Sequence, residues 1–142
     1  MIKDADIAYV AGIVDGEGSF HIRHVTKDRG KDVNWFKYRL TIVMASKAIL
    51  DKCQQVMNCG TINSIHRMTK NGKVVWRYQA CASQVADACH LLMPFLIDKR
   101  EQAQIIIELS STMNSYGNSN PVPEETINYR IQLKTRLEAL TF

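Results

Sequence analysis

The spacing of hydrophobic positions changes along the chain, and each change marks an element. Ile7, Val10, Ala11, Ile13 and Val14 recur at helical spacing, which predicts a helix from about residue 5 to 15 with Asp4 and Asp6 as candidate N-caps and Gly16 and Gly18 as its stop. From Ser19 to Lys27 the period falls to two. Phe20, Ile22 and His24 share one side, and His21, Arg23, Val25 and Lys27 the other, as in a strand with one dry and one wet face. A polar loop from Asp28 to Val33 leads to a second alternating run, Trp35 to Val43, with Phe36, Tyr38, Leu40 and Ile42 dry and Lys37, Arg39 and Thr41 wet. Ser46 is the expected cap of a helix from Lys47 to Met57, whose stripe of Ile49, Leu50, Cys53, Val56 and Met57 stops at Asn58 and Gly60. A second hairpin follows, Thr61 to Met68 and Lys73 to Ala80, turning at Asn71-Gly72. Its alternation is weaker and leaves open which face is wet.

Ser83 is the expected cap of a helix from Gln84 to Leu92, which Pro94 breaks. Asp98 and Glu101, at capping-box spacing, open another that reaches Met113. Residues Asn114 to Pro123 read as a loop, and Glu124 to Leu140 as a last amphipathic helix. Helix, strand, strand, helix, strand, strand, helix is an α+β order built on two antiparallel hairpins.

At 142 residues the chain is expected to be one domain with a core of its own. No apolar run reaches the roughly 18 residues of a membrane span, and no signal-peptide pattern is present, so no membrane partner is expected. Cys53, Cys59, Cys81 and Cys89 lack the CxxC spacings of zinc or redox sites and read as reduced, mostly buried thiols.

Charge changes the picture more than composition does. The net +4 is modest, but residues 19 to 45 and 60 to 80 together hold ten basic residues against two acids, leaving eight basic against twelve acidic elsewhere. Positive charge gathered on strands suits a polyanion lying across a sheet. Protection of sheet edges by Lys and Arg explains the same pattern without a ligand.

The first helix carries the candidate chemistry. Ala8, Gly12 and Gly16 recur every four residues, so they share a stripe almost without side chains, along which two backbones can touch. A single copy of such a stripe implies a two-fold homodimer. Asp15 and Glu17 stand at the end of this helix, where its carbonyls already carry partial negative charge. Two helices side by side would crowd four acids together, an arrangement that calls for a cation such as Mg2+.

These residues, VAGIVDGEG, resemble the LAGLIDADG motif of homing endonucleases, with Val10 for the first Leu, Ile13 and Val14 for the aliphatic pair, Gly16 for Ala and Glu17 for the second Asp. The element order over residues 5 to 113 resembles the αββαββα domain of that family, with its saddle-shaped antiparallel DNA-binding sheet. Residues 1–113 are therefore read as the endonuclease domain, and 114–142 as a loop and C-terminal helix of the same compact domain. The resemblance implies an intron-encoded, homodimeric, site-specific double-strand DNA endonuclease. Glu17 and the Gly16 carbonyl would hold Mg2+, with Mn2+ as an alternative. Ala8, Ala11, Gly12, Asp15 and Gly16 would form the interface.

The stretch PFLIDKREQA, residues 94 to 103, resembles the family segment whose lysine approaches the reacting water, which makes Lys99 a catalytic candidate. One departure stands out. Where family members often carry Gln or a basic residue before the second helix, this chain has Val43-Met44-Ala45-Ser46-Lys47, with Lys47 as the candidate substitute. A nine-residue strand follows about nine base pairs, so the dimer would read about 18 to 20 base pairs of a pseudo-palindromic site. His21, Arg23, Lys27, Lys37, Arg39, Thr41, Asn63, His66, Arg67 and Arg77 are the expected DNA contacts. The alternatives are a maturase acting on its host intron RNA and a non-cleaving DNA-binding protein of the same fold. On each of these readings the protein is expected to be intracellular, in an organelle (chloroplast or mitochondrion) or in bacterial or phage cytoplasm.

Overall fold

The computed structural model describes residues 2–65, 74–116 and 121–141, with backbone alone over 114–116. Helix α1 (Asp4–Glu17) begins at Lys3 and not at the expected aspartates; the Lys3 N–H donates to the Asp6 carboxylate at 3.3 Å. It also runs through Gly16 and stops at Gly18, whose N–H returns to the Val14 carbonyl. Only glycine fits at that stop, because a Cβ at position 18 would lie 2.8 Å from the Val14 oxygen.

Strands β1 (Gly18–Asp28) and β2 (Lys31–Met44) form a longer hairpin than the alternation predicts. The expected polar loop is a two-residue turn, Arg29-Gly30, with positive φ at both residues (51° and 79°), as the tight type I′ hairpin requires. The register shifts once, between Val25 and Lys27. Helix α2 (Lys47–Met57) starts where the sequence places it, with Ser46 Oγ accepting the Ile49 N–H at 3.4 Å, and ends at Asn58 in the left-handed region.

Strand β3 (Thr61–Ile65) and strand β4 (Val75–Cys81) are the described parts of the second hairpin, and its expected Asn71-Gly72 turn lies outside the described residues. Helix α3 (Ser83–Leu92) takes Ser83 as its first residue and not as its cap, with Ala82 at the N-cap. A 3-10 turn over Met93–Phe95, forced by Pro94, leads to α4 (Arg100–Tyr116), and α5 (Glu124–Ala139) closes the chain.

The sheet is antiparallel throughout, in the order β1-β2-β4-β3. Directly paired residues point to the same face, so the register sorts every strand at once. Gly18, Ile42, Tyr78 and Ile62 form one dry row, and Phe20, Leu40 and Ala80 the next. This face is buried under Val10, Ala11 and Val14 of α1, Leu50, Cys53 and Val56 of α2, Val85 and Leu92 of α3, and Ile105, Ile106 and Leu109 of α4. The helices form one layer, the sheet the other, and the wet face is left bare.

Two contacts tie the periphery to this core. Tyr78 donates its hydroxyl to the Cys59 carbonyl at 2.8 Å and lies over Gly60, where a Cβ would come within 2.4 Å of the ring. Arg130 of α5, fully buried beside Leu133 and Leu137, donates from Nε to Thr112 Oγ1 and from its terminal nitrogen to the Thr112 carbonyl, both at 2.9 Å, and lies over the Phe36 ring. All four cysteines are free; Cys53 and Cys89 are buried, which pushes their thiols up to about 11 and about 12, while Cys81 is exposed on the sheet. Among the described residues no helix is long and apolar enough to cross a membrane.

Candidate functional site

The end of α1 and the start of α4 are built as one unit. Asp15 accepts backbone N–H groups from Ile97, Asp98 and Lys99 at 2.9, 3.1 and 3.0 Å, so one carboxylate satisfies the donors that a helix start leaves orphaned. The expected Asp98–Glu101 cap is replaced by this carboxylate from α1. In return, the Lys99 ammonium donates to the Asp15 carbonyl, placing a cation on the negative end of α1. A carboxylate that would destabilise its own helix end is offset by the positive end of another.

Glu17, two residues further on, is exposed, and its carboxylate has no hydrogen bond or ion pair among the described residues. Gly16 beside it is exposed, and its carbonyl belongs to the last turn, which a helix leaves without intrahelical partners. Carboxylate and carbonyl oxygens are the hard donors Mg2+ takes, and Mg2+ keeps waters in its remaining positions. The donor chemistry fits, but the set is partial. Among the described residues no three His, Cys, Asp or Glu gather as a closed site, so a metal held here would need further ligands beyond these two.

The small-residue stripe is divided by burial. A Cβ at Gly12 or Gly16 would meet nothing within 4 Å, and Ala8 is half-buried, so this side of α1 is open. Ala11 does not belong to it. With 0% exposure it packs between Val10 and Val14 in the core, because residues 7, 10, 11 and 14 follow the buried face of the helix; the expectation that Ala11 serves an interface is corrected. The hydrogen bonds of the Asp15 carboxylate all lie within the chain.

Across the sheet, the wet face divides into rows. Nearest Glu17 is Val43–Arg77–Asn63, then Ser19–Thr41–Gln79–Thr61, then His21–Arg39–Cys81, then Arg23–Lys37, then Val25–Trp35. Pairing with β4 settles the face left open in the second hairpin: Asn63 and Arg77 are opposite each other and exposed. Lys27 lies beyond the register shift and is ion-paired with Asp32 at the hairpin tip. His66 and Arg67 lie outside the described residues.

A cleft of about 640 Å³ opens at the edge of β2 that β4 leaves uncovered, between His21, Arg23, Lys37 and Arg39 above and Phe36 and Met113 below. Burial, and then the neighbouring Arg39 cation, hold the His21 imidazole below its ordinary pKa.

Lys47 is placed differently from Lys99. Its ammonium bonds both oxygens of Asp51, at 2.9 and 3.2 Å, and lies 5.6 Å from the Trp76 ring centre, and no bond links it to Glu17. The geometry thus brings Lys99 to the acidic tip and holds Lys47 to its own helix. Sequence periodicity passed over Gln79, Ser19 and Thr61, although Gln79 is simply two residues beyond Arg77 on the same strand.

A helical layer behind an antiparallel sheet whose bare face is basic and whose edge row meets an unpaired acid at a helix tip defines a class of nucleic-acid-binding α+β domain. The LAGLIDADG endonuclease family model matches residues 10–99, and the chain belongs to that family of DNA endonucleases. Among solved structures, it is similar to an archaeal intron-encoded homing endonuclease, I-Vdi141I, complexed with DNA, at 16% identity and a TM-score of 0.79, over 98% of this chain and 86% of that one. It is also similar to homing endonuclease I-CvuI, solved with DNA in the presence of magnesium, at 19% identity and a TM-score of 0.74, over 96% and 82%. A third similar structure is the group I intron-encoded I-CeuI complexed with DNA, at 12% identity and a TM-score of 0.64, over 80% and 57%. No curated protein sequence matches the chain.

Proposed function

We propose that two copies of this chain, joined along Ala8, Gly12 and Gly16, lie on duplex DNA as a two-fold dimer and hydrolyse one phosphodiester in each strand with Mg2+, or Mn2+ in its place. The observation that carries this reading is the position of Glu17. It is an unpaired carboxylate at the exact point where the open side of α1 meets the first row of a basic sheet.

In this reading Glu17 and the Gly16 carbonyl hold the metal, which when bound polarises a phosphoryl oxygen and makes a ligated water more acidic. The protein supplies the rest. Lys99, anchored on the Asp15 carbonyl, keeps a fixed positive charge beside the acid tip, where charge develops during hydrolysis. Arg23, Lys37, Arg39 and Arg77 hold the backbone and base edges, His21, Thr41 and Asn63 read bases, and Lys27 reaches the flank once Asp32 is displaced. His66 and Arg67 are further DNA contacts proposed from the sequence alone. Two-fold symmetry doubles the read length and brings the second Glu17 to the other strand.

The test incubates the full chain with Mg2+ and a randomised duplex library, then sequences the new ends. Discrete paired cuts are expected, lost in Glu17→Gln, which should still bind the selected duplex. Cleavage by Glu17→Gln at the wild-type rate overturns the metal assignment. Tight duplex binding without cuts in Mg2+ or Mn2+ overturns the nuclease reading in favour of a regulator, and stimulation of intron splicing without cutting overturns it in favour of a maturase.

A further inference from the structure

The row Ser19–Thr41–Gln79–Thr61 differs from every other on the wet face. On this face, among the described residues, only this row spans all four strands, and it carries no charge. The rows outward of it hold His21 with Arg39 and Arg23 with Lys37, and the row inward holds Arg77. Cationic side chains gain from any phosphate nearby, whatever the sequence. Hydroxyl and carboxamide groups carry no charge to draw a phosphate. They can donate to a phosphate oxygen, but only a base edge offers a donor and an acceptor side by side for them to match.

Within the row, Gln79 has the group best suited to this. Its carboxamide offers a donor and an acceptor side by side, the pair that an adenine presents at N7 and N6 in the major groove. Its one hydrogen bond in the free chain runs from Nε2 to Cys81 Sγ at 3.5 Å, a weak acceptor that is readily exchanged. Thr41 stands directly opposite on β2, where its methyl can meet the methyl of the paired thymine.

On the reading that this sheet lies on duplex DNA, we infer that Gln79 is a specificity-determining residue that reads the adenine of one A·T pair in the inner part of each half-site. Successive rows are two residues apart, roughly 6.7 Å, which spans about two base steps. The pair read by Gln79 therefore falls inward of those beneath His21–Arg39 and Arg23–Lys37, toward the cleavage point.

The experiment uses the full chain and a duplex target selected from a randomised library, with every position changed in turn and binding measured at several salt concentrations. Wild type is expected to prefer A·T over the other pairs by tenfold or more at one inner position of each half-site. Gln79→Ala should remove that preference while leaving the salt dependence unchanged. Gln79→Arg should move the preference at the same position towards guanine. As a contrast, Arg39→Ala should flatten the salt dependence, which Gln79→Ala leaves unchanged. Retention of every positional preference by Gln79→Ala overturns the inference, as does a uniform loss across sequences with a changed salt slope. If wild type selects no sequence, the DNA reading itself fails and takes this one with it. If wild type selects a site but Gln79 variants read it identically, the DNA reading stands and only the role of Gln79 is lost.

Discussion

Asp15 and Lys99 hold each other by opposite groups: the Asp15 carboxylate accepts the Lys99 backbone N–H at 3.0 Å, and the Lys99 ammonium donates to the Asp15 carbonyl. The first contact caps α4 and the second caps α1, so neither helix end can shift without the other. Lys99 is consequently held at the end of α1 by a rigid frame and not by a loose loop.

If Lys99 serves cleavage as proposed, this linkage makes Asp15 its positioning residue. Asp15→Ala leaves three backbone N–H groups without their charged acceptor and should destabilise the fold by about 2 kcal/mol in chemical denaturation. Asp15→Asn retains one acceptor oxygen and loses the charge. Its expected result is a folded protein with duplex affinity close to wild type and a cleavage rate at least tenfold lower. Wild-type cleavage by Asp15→Asn would show that Lys99 needs no anchoring. An equal loss of folding and cleavage would assign Asp15 to stability alone.

The Asp15 linkage was not legible in the sequence, because its partners are 82 to 84 residues away and no local pattern marks them. What could be read was local. The first hairpin announces itself by strict alternation over Phe20, Ile22, Phe36, Tyr38, Leu40 and Ile42, and Ser46 by its place ahead of a helical stripe. The Arg29-Gly30 turn carries no clear signal in the sequence, because Arg rarely takes positive φ. The wet face of β3 was ambiguous because Asn63 and Ser64 are both polar and exposed; only pairing of Asn63 with Arg77 decides it. Ala11 is named with the interface residues although it belongs to the apolar set of α1, because small size says nothing about which side of a helix is buried.

Gly60 is fixed twice, by φ of +95° and by the Tyr78 ring above it. Gly60→Ala must adopt a backbone conformation that L side chains disfavour and push its Cβ into a ring held by the Cys59 carbonyl. A loss of about 3 kcal/mol is expected in urea or guanidinium unfolding. Trimming the ring as well, in Gly60→Ala/Tyr78→Leu, should cost less than the two single changes added together. Full additivity would mean that the cost is in the backbone alone.

His21 gives the DNA interface a pH dependence. Burial and Arg39 depress its pKa below 6.5 in the free chain, with Arg23 and Cys81 the other ionisable groups next along the same face. A depressed histidine contributes stability that is whole above the unfolded value and is lost as pH falls through the folded one. Phosphates have the opposite influence, because they favour the imidazolium. Duplex binding should therefore take up protons, and affinity should rise as pH falls from about 7.5 to about 5.5. Titrations by fluorescence anisotropy with wild type and His21→Gln test this. The variant should lose part of the pH slope, and an identical slope in both would remove His21 from the interface.

Gly12 separates the stability of the chain from its association. A glycine inside α1 costs the helix up to about 1 kcal/mol relative to alanine, and nothing lies within 4 Å of the Cβ that alanine would add. Gly12→Ala should therefore make the isolated chain more stable by about 0.5 to 1 kcal/mol. If two α1 helices meet along this side, the same methyl group falls where backbones touch and forces them apart. Sedimentation should then find dimer dissociation increased by tenfold or more, and cleavage at low protein concentration should fall with it. Gly12→Leu should enlarge both losses without unfolding the chain. A protein whose unfolding midpoint rises while its dimerisation and cleavage are unchanged would place the second subunit on some other surface, and the open stripe would need a different explanation.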